Sequence, residues 1–585
     1  MVMVQSADER RAPLPKPKFM LLDLPKAPFE KRRALLRTER SYYDSEWYEI
    51  SRFIRPRRSK FINGRPGHGT TGRADDNRLA VDIINTTATI ASRTLKSGMH
   101  SGLSSPARPW FRLTLEDKDL AESGDVKEYL TAVARRMSAV FGRGNFYNCL
   151  HTGYGDIGDF GTSVMMIDEN YKDVIRCHTY SPGTYMLATD DEGRVNTVYR
   201  EFTRTVLACV QKWGMRVSPT VMNMYHNGNL DAYVDLTEVI EPNMQQVRDV
   251  LGPRGAPFLR LHYETKGDGD RLLDCKGCFE FPGCVPRWEV RDDDVYGYGP
   301  GLEALADARG LQVMELRKQI MIDKMATPPT QGGSKGTQVK HRAGAHTFTP
   351  DSLGARKTID TLYDINPGAL QALGAEIQRG EGRVRESYFY DLFLMFAESD
   401  RREITAREVD ERSSEKLLAL GPMLERQFDE NLNPAIERVF NIMNRARGPN
   451  GESMFPDPPD EIDGMELKVQ FVSPLAQAQR AVAIGGIENL WRFAGGVASA
   501  APSVLDKLDA DQALDEYADA TGVPPGLVLS DDKVAKVRAD KAKAAEGAAM
   551  AAAAGQAAEI GKTLSQTEVS DENALGLITG GVGAY

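Results

Sequence analysis

The hydrophobic period of this chain changes twice, and that limits its fold more than any single motif. From about Phe29 to Ile54, Leu35, Leu36, Tyr43, Trp47 and Ile50 recur at three- and four-residue steps, a helical pattern. Residues 79–103 and 125–142 predict two more helices, the first ended by Gly98 to Gly102. From Thr162 to about Pro286 the runs turn short and β-branched or aromatic, as in "TSVMMIDE", "GRVNTVYREFT" and "RLHYETKG". Helical period then returns over 301–326, with Val313, Leu316 and Ile320 on one face, and again from Pro367, placed in a first turn, to about Phe396. A capping-box pair, Thr405 and Glu408, opens the longest pattern, in which Leu420, Leu424, Phe428, Leu432 and Ile436 hold a stripe to about Met443. Pro422 and Pro434 should kink or break that helix. A sheet-rich region between helical ones reads as α+β. At 585 residues the chain is expected to divide into two to four packed regions.

Charge narrows the function classes. The net charge is −10, so the whole chain is not a general binder of polyanions. Residues 1–60 nevertheless carry 15 Lys/Arg against 8 Asp/Glu, while 505–540 carry 9 acids against 4 bases. The opening "MVMVQSADERRAPLPKPK" is charged and proline-rich where a secretory signal would be apolar, so residues 1–28 read as a flexible arm. No apolar run is long enough to predict a membrane span. Six cysteines without a secretory signal predict a reducing compartment. The Ala/Gly-rich tail from Lys541 to Tyr585 is expected to be mostly disordered, with partial helix in its alanines.

The stretch "DDDVYGYGPGLEALAD", Asp292 to Asp307, invites three readings. As a dinucleotide loop its third glycine comes one residue early, and Pro300 lacks the N–H a phosphate would use. As a calcium loop, Asp292, Asp294, Gly297 and Glu303 are well placed, but Tyr296 stands where an oxygen ligand is needed and a strand precedes the loop. The favoured reading is a tight strand-to-helix joint at Gly297, Gly299, Pro300 and Gly301. Cys275, Cys278 and Cys284 have spacing that could hold zinc with His262, yet no second Cys pair follows, and small apolar roles are favoured. Gly561, Lys562 and Thr563 end like a phosphate loop, with the upstream Gly555 one residue too far away and no strand before it. No nucleophile elbow or metalloprotease motif is present, so neither enzyme activity nor a cofactor or metal is expected. The basic run Arg55, Arg57, Arg58 and Lys60, flanked by Phe53 and Phe61, could touch nucleic acid; a solvated loop or a protein contact is favoured.

Several stretches in order resemble the head-to-tail connector, or portal, proteins of short-tailed bacteriophages. They are Trp47 to Ile50 with Ile54 to Pro56, "LKSGMHSGLSSPARPWFRL", "DFGTSVMMIDE", "TYMLATDDEGRVNTVYREFTRT", "FEFPGCVPRWEV" with "YGYGPGLEALAD", and "REITAREVDERSSEKLLALGPMLER". The resemblance spans roughly residues 35–445. It implies a portal fold, with helical stem and crown and a mixed α/β wing, assembled as a ring of usually about twelve copies around a central channel. On that template residues 29–295 form the wing, 296–326 the first stem helix, 327–366 the clip, 367–396 the second stem helix and 397–404 the tunnel loop. The long wing helix and its following loop take 405–473, and crown helices 474–540.

The resemblance also implies roles. Gly297, Gly299, Pro300 and Gly301 become the wing–stem hinge. Glu398, Ser399, Asp400, Arg401 and Arg402 face double-stranded viral DNA in the channel, and Lys335, Lys340, His341 and Arg342 form a docking surface on the clip. Implied partners are terminase, then tail adaptor proteins, with capsid and scaffolding proteins around the ring. The implied location is a unique capsid vertex of the virion, after assembly in the host cytoplasm. Alternatives from other classes are a different structural virion protein, such as a capsid or tail component, and a DNA-processing ATPase.

Overall fold

The computed structural model describes residues 2–3, 24–56, 83–117, 120–121, 123–247, 250, 252–267, 270–328, 330–332, 359–361, 366–399, 420–447, 452–462, 464–473, 475, 490–498, 507–521 and 531–566. In chain order the elements used below are β1 (Val2–Met3), α1 (Ala27–Phe53), α2 (Thr87–Leu103), β2 (Phe111–Thr114), α3 (Gly124–Arg143), α4 (Phe146–Phe160), β3 (Val164–Asn170) and β4 (Val174–Tyr180). Then come β5 (Tyr185–Thr189), β6 (Val195–Thr205), α5 (Val206–Trp213), α6 (Pro219–His226), β7 (Tyr233–Pro242), β8 (Phe258–Glu264), β9 (Asp274–Cys278) and β10 (Gly283–Cys284). The rest are α7 (Pro300–Glu303), α8 (Leu305–Ala326), β11 (Thr330–Gly332), β12 (Ile359–Thr361), α9 (Pro367–Ser387), α10 (Tyr390–Ser399), α11 (Gly421–Gln427), α12 (Asn433–Arg445), β13 (Glu466–Phe471), α13 (Ala510–Thr521) and α14 (Asp531–Gln566).

The α+β expectation holds. Strands β5 to β9 form an antiparallel meander of five in sequence order, and β10–β3–β4 form a smaller antiparallel sheet beside it. Because side chains alternate along a strand, Val239 of β7 points to one face of the large sheet and Leu236 to the other. The first face packs on Phe29 and Leu36 of α1. The second receives Val206, Cys209 and Val221 of α5–α6, and toward Ile240 it joins the main core. Between the two sheets lies a buried charge cluster. Tyr180 donates to Glu238 at 2.9 Å, and Arg260 donates to Glu238 at 2.8 Å while also pairing with Asp168. Burial opposes charge on Glu238, but Arg260 beside it holds the carboxyl well below the usual carboxylate range.

The first departure from expectation is in α2. Residues 83–86 precede the helix, which runs through Gly98 and Gly102 instead of ending there. A Cβ at Gly98 would overlap Phe393 of α10, and one at Gly102 would touch Phe396 at 3.5 Å. The glycines let two helix backbones come together, a role invisible to a local reading. The second departure is at the two prolines. Pro422 sits in the first turn of α11, where its missing N–H costs nothing. Pro434 follows a π-turn, Phe428–Leu432, closed by the Asn433 N–H on the Phe428 carbonyl. The wider turn absorbs the proline, so the stripe through Leu424, Leu432 and Ile436 stays buried. Third, α14 runs unbroken from Asp531 to Gln566, so the helix expected only in part of the alanines extends through the whole tract and well before it, while residues 567–585 lie outside the described residues. Gly561, Lys562 and Thr563 therefore lie in a helix, not a loop.

The C-terminal end of α4 is the structural node. Asp156 and Asp159 are fully buried one turn apart. Arg55, just after α1, pairs with Asp156 at 3.2 Å and with Asp159 at 2.9 Å. Ser92 of α2 donates to Asp159 at 2.9 Å, and Tyr388, between α9 and α10, donates to it at 3.1 Å. Burial and the adjacent Asp159 carboxylate push the Tyr388 phenol well above its usual range, so it stays a donor.

Two pairs of variants test this account. Gly98→Ala must separate α2 from α10 and should cost about 1–3 kcal/mol by overpacking. Gly142→Ala, in open space in α3, should stabilise by about 0.5–1 kcal/mol through helix propensity; urea midpoints read both. Arg55→Met leaves two buried carboxylates without their cation and should cost about 3–5 kcal/mol. Tyr388→Phe removes one bond to a charged acceptor and should cost about 1.5–3 kcal/mol. Equal losses in those two variants, read in the same denaturation experiment, would count against the node.

Candidate functional site

The same segment of α4 carries the α7–α8 unit. Gly161 adopts φ 75° at the helix end, where its N–H closes on the Ile157 carbonyl. Against this corner lies the stretch expected to be a joint. The Gly297 N–H donates to Thr162 Oγ1 at 2.8 Å, and a Cβ at Gly299 would meet the Ile157 carbonyl oxygen at 2.7 Å. A Cβ at Gly301 would overlap the main chain of Asp159. Gly299 is the extended residue before α7, and Pro300 starts that helix. None of Gly297, Gly299 and Gly301 has positive φ. Their freedom from side chains serves close approach, and the joint is packed main chain to main chain.

From this joint α8 and α9 leave as an antiparallel hairpin. Arg383 pairs with Asp307 at 2.7 Å, and Gly380 faces Leu311. Residues before α2 clamp the pair. Ile84 and Asn85 donate their N–H groups to Gln312 Oε1 at 2.7 and 2.8 Å, and Asn85 Nδ2 donates to Glu381 at 2.9 Å. Ala308, Leu311 and Gln312 are buried, as are Ile377, Gly380 and Val384.

Beyond Gln312 the burial stops. Val313, Leu316 and Ile320, the predicted apolar face, are 48%, 47% and 43% exposed in the single chain, and Ile322 and Met325 continue the exposure. Val313, Leu316 and Ile320 thus form an apolar row about 10 Å long that this chain's described residues do not bury, and Ile322 and Met325 are exposed on other sides of the helix. The two helices together hold 6 acids and 7 bases, so the acid excess of the whole chain lies elsewhere. At the far end β11 and β12 pair antiparallel, Thr330 opposite Thr361 and Gly332 opposite Ile359.

The predicted site residues fall unevenly. Lys335, Lys340, His341 and Arg342 lie outside the described residues, between β11 and β12. Glu398 and Ser399 end α10, while Asp400, Arg401 and Arg402 lie outside the described residues, as do Thr405 and Glu408. The second helix, expected unbroken over 367–396, is divided at Phe389, which takes φ 50°. The three cysteines do not converge: Cys275 belongs to the core under α1, Cys284 to the main core, and Cys278 to the end of β9. Among the described residues no three His, Cys, Asp or Glu side chains form a metal cluster. No described helix is long and apolar enough to cross a membrane. Sequence reasoning passed over Asp156, Asp159 and Tyr388. The available signal was a pair of acids three apart in the otherwise apolar, glycine-rich "GYGDIGDF".

Comparison with known proteins agrees with the resemblance. Residues 26–529 match the model of the family described as "Bacteriophage head to tail connecting protein". The chain is 39% identical over 559 residues to the portal protein of Salmonella phage epsilon15, covering 95% of this chain and 98% of that one. It is 37% identical over 553 residues to the probable portal protein of Bordetella phage BPP-1, covering 94% and 97%. Among solved structures it is similar, with TM-score 0.33 and 11% identity, to a chain of the neck of an empty GTA particle, over 80% of this chain and 99% of that one. The family match and the two relatives cover nearly the whole length, and the chain belongs to the bacteriophage head-to-tail connecting protein family.

Proposed function

We propose that the chain is a portal subunit, that copies of it close into a ring at one capsid vertex, and that viral DNA passes through the ring during packaging and ejection. The exposed row Val313, Leu316 and Ile320 carries this reading. An apolar helix face that its own chain leaves open calls for a partner surface, and a heterologous contact repeated around an axis closes a ring. In this reading α8 and α9 are the stem and Gly297 to Gly301 the wing–stem joint. The α+β body before the joint is the wing, and α13 with the start of α14 belongs to the crown.

The near balance of charge on α8 and α9 suits a conduit. A duplex carries about one negative charge per 1.7 Å of axis, and a strongly basic wall would hold it. A wall of mixed sign lets it slide, with residues such as Glu398 to Arg402 steadying it as a tunnel loop. The work of translocation is assigned to terminase docked on the clip, through Lys335, Lys340, His341 and Arg342, with tail adaptors taking that place later. Capsid and scaffolding proteins would meet the outside of the ring, and assembly would take place in the host cytoplasm.

Negative-stain imaging with mass determination should show closed rings with a central hole. Leu316→Glu with Ile320→Glu should abolish the rings, leaving monomers with unchanged helical circular dichroism. A shell lattice or filament would favour a different structural virion protein. Charge reversal at Lys335, Lys340 and Arg342 should leave rings intact but reduce terminase capture about tenfold or more, as loss of several charge pairs would; undiminished capture would remove the clip assignment.

A further inference from the structure

The face of α2 opposite its glycine contact holds a cluster of cations that the portal reading does not use. Arg93, Lys96 and His100 lie at i, i+3 and i+7, one stripe of the helix. His151 of α4 faces His100, with ring centroids 5.5 Å apart. Arg55 lies behind them, its guanidinium against Gly155 and its charge taken up by Asp156 and Asp159. Those two acids are buried and engaged. Among the described residues Arg93 and Lys96 make no ion pair, although Lys96 is half-buried. Burial first, then Arg55 and Arg93, lower the Lys96 ammonium from its ordinary value. Burial and Lys96 push His151 down to about 4, so near pH 7 it is a neutral imidazole with one N–H to give. Asp159 and Asp156 oppose the lowering of Lys96, and three cations, Arg55, Arg93 and Lys96, against these two carboxylates leave one formal positive charge for a bound anion to meet.

We propose that Arg93, Lys96 and His151 form a binding site for a phosphate group, supplied by a nucleic-acid backbone or by free phosphate. Arg93 offers a planar fork, Lys96 a point charge, and His151 a neutral donor, the set that tetrahedral oxyanions use. Arg93 and Lys96 stand about 4.5 Å apart along the helix axis, within reach of one phosphate or two neighbours on a strand. The sequence leaving Arg55 continues as Arg57, Arg58 and Lys60, of the same sign, which favours the polymer. The site is separate from the stem, so its failure would leave the ring proposal standing.

The test uses the purified full chain and two probes. Binding of a random-sequence duplex of about 30 base pairs is followed by fluorescence anisotropy across a salt series. Arg93→Gln with Lys96→Met should lower the salt slope by about two, at ~0.9 per lost phosphate contact. Inorganic phosphate, compared with chloride at equal ionic strength, should raise the melting temperature of the parent chain and not of the variant. A phosphate effect with an unchanged duplex slope would assign the site to free phosphate. No difference between parent and variant in either assay would overturn the proposal. Should the double variant misfold by circular dichroism, the exposed Arg93→Gln alone should lower the slope by about one, and Lys96→Arg should behave as the parent. If Arg93→Gln has no effect and Lys96→Arg abolishes binding, the site is wrong.

Discussion

Two buried carboxylates one turn apart, Asp156 and Asp159, organise this molecule. Alone they would be intolerable in an apolar helix, because a buried charge without a partner costs several kcal/mol. Arg55 pairs with both, its single charge shared between them, and Asp159 also accepts hydrogen bonds from Ser92 and Tyr388. The acids and their three partners come from four separated parts of the chain. Satisfying one polar group therefore fixes the end of α1, the start of α2, the end of α4 and the break between α9 and α10 in a single arrangement. Apolar packing around them fills space but would tolerate many angles; the directional bonds select one.

The α8–α9 hairpin inherits its position from that node. At its root, α7 meets the main chain of α4, and Tyr388 fixes the other end of the hairpin to the same acid. Gln312 and Asn85 add a second clamp one to two turns out. Past that clamp α8 loses the support of the rest of the described chain, and there the exposed apolar row begins. Support from within the chain stops where support from a neighbouring copy is proposed to start.

The helices with a clear 3.6 period, α1, α3 and α8, could be read from sequence nearly to their ends, as could the sheet region with its alternating β-branched strands. What could not be read had long-range causes. Gly98 looks like a helix terminator until Phe393, far along the chain, lands on it. Helix α4 has no clear period because Gly153, Gly155 and Gly158 replace side chains in its stripe. Pro434 breaks an α-helix but not one that widens by a residue beforehand, and local propensity does not announce a π-turn. Of the candidate site, the apolar face of α8 and the joint at Gly297 to Gly301 were legible. The acids beneath the joint were not, since their meaning depends on Arg55 reaching them from another helix.

The joint itself has a mechanical consequence. Main chain pressed on main chain at Gly299 and Gly301 has no rotamers to exchange and no side-chain gap to close. A push delivered along the α8–α9 hairpin meets no compliant layer there. It passes directly to the main chain of α4, the helix that carries Asp156 and Asp159.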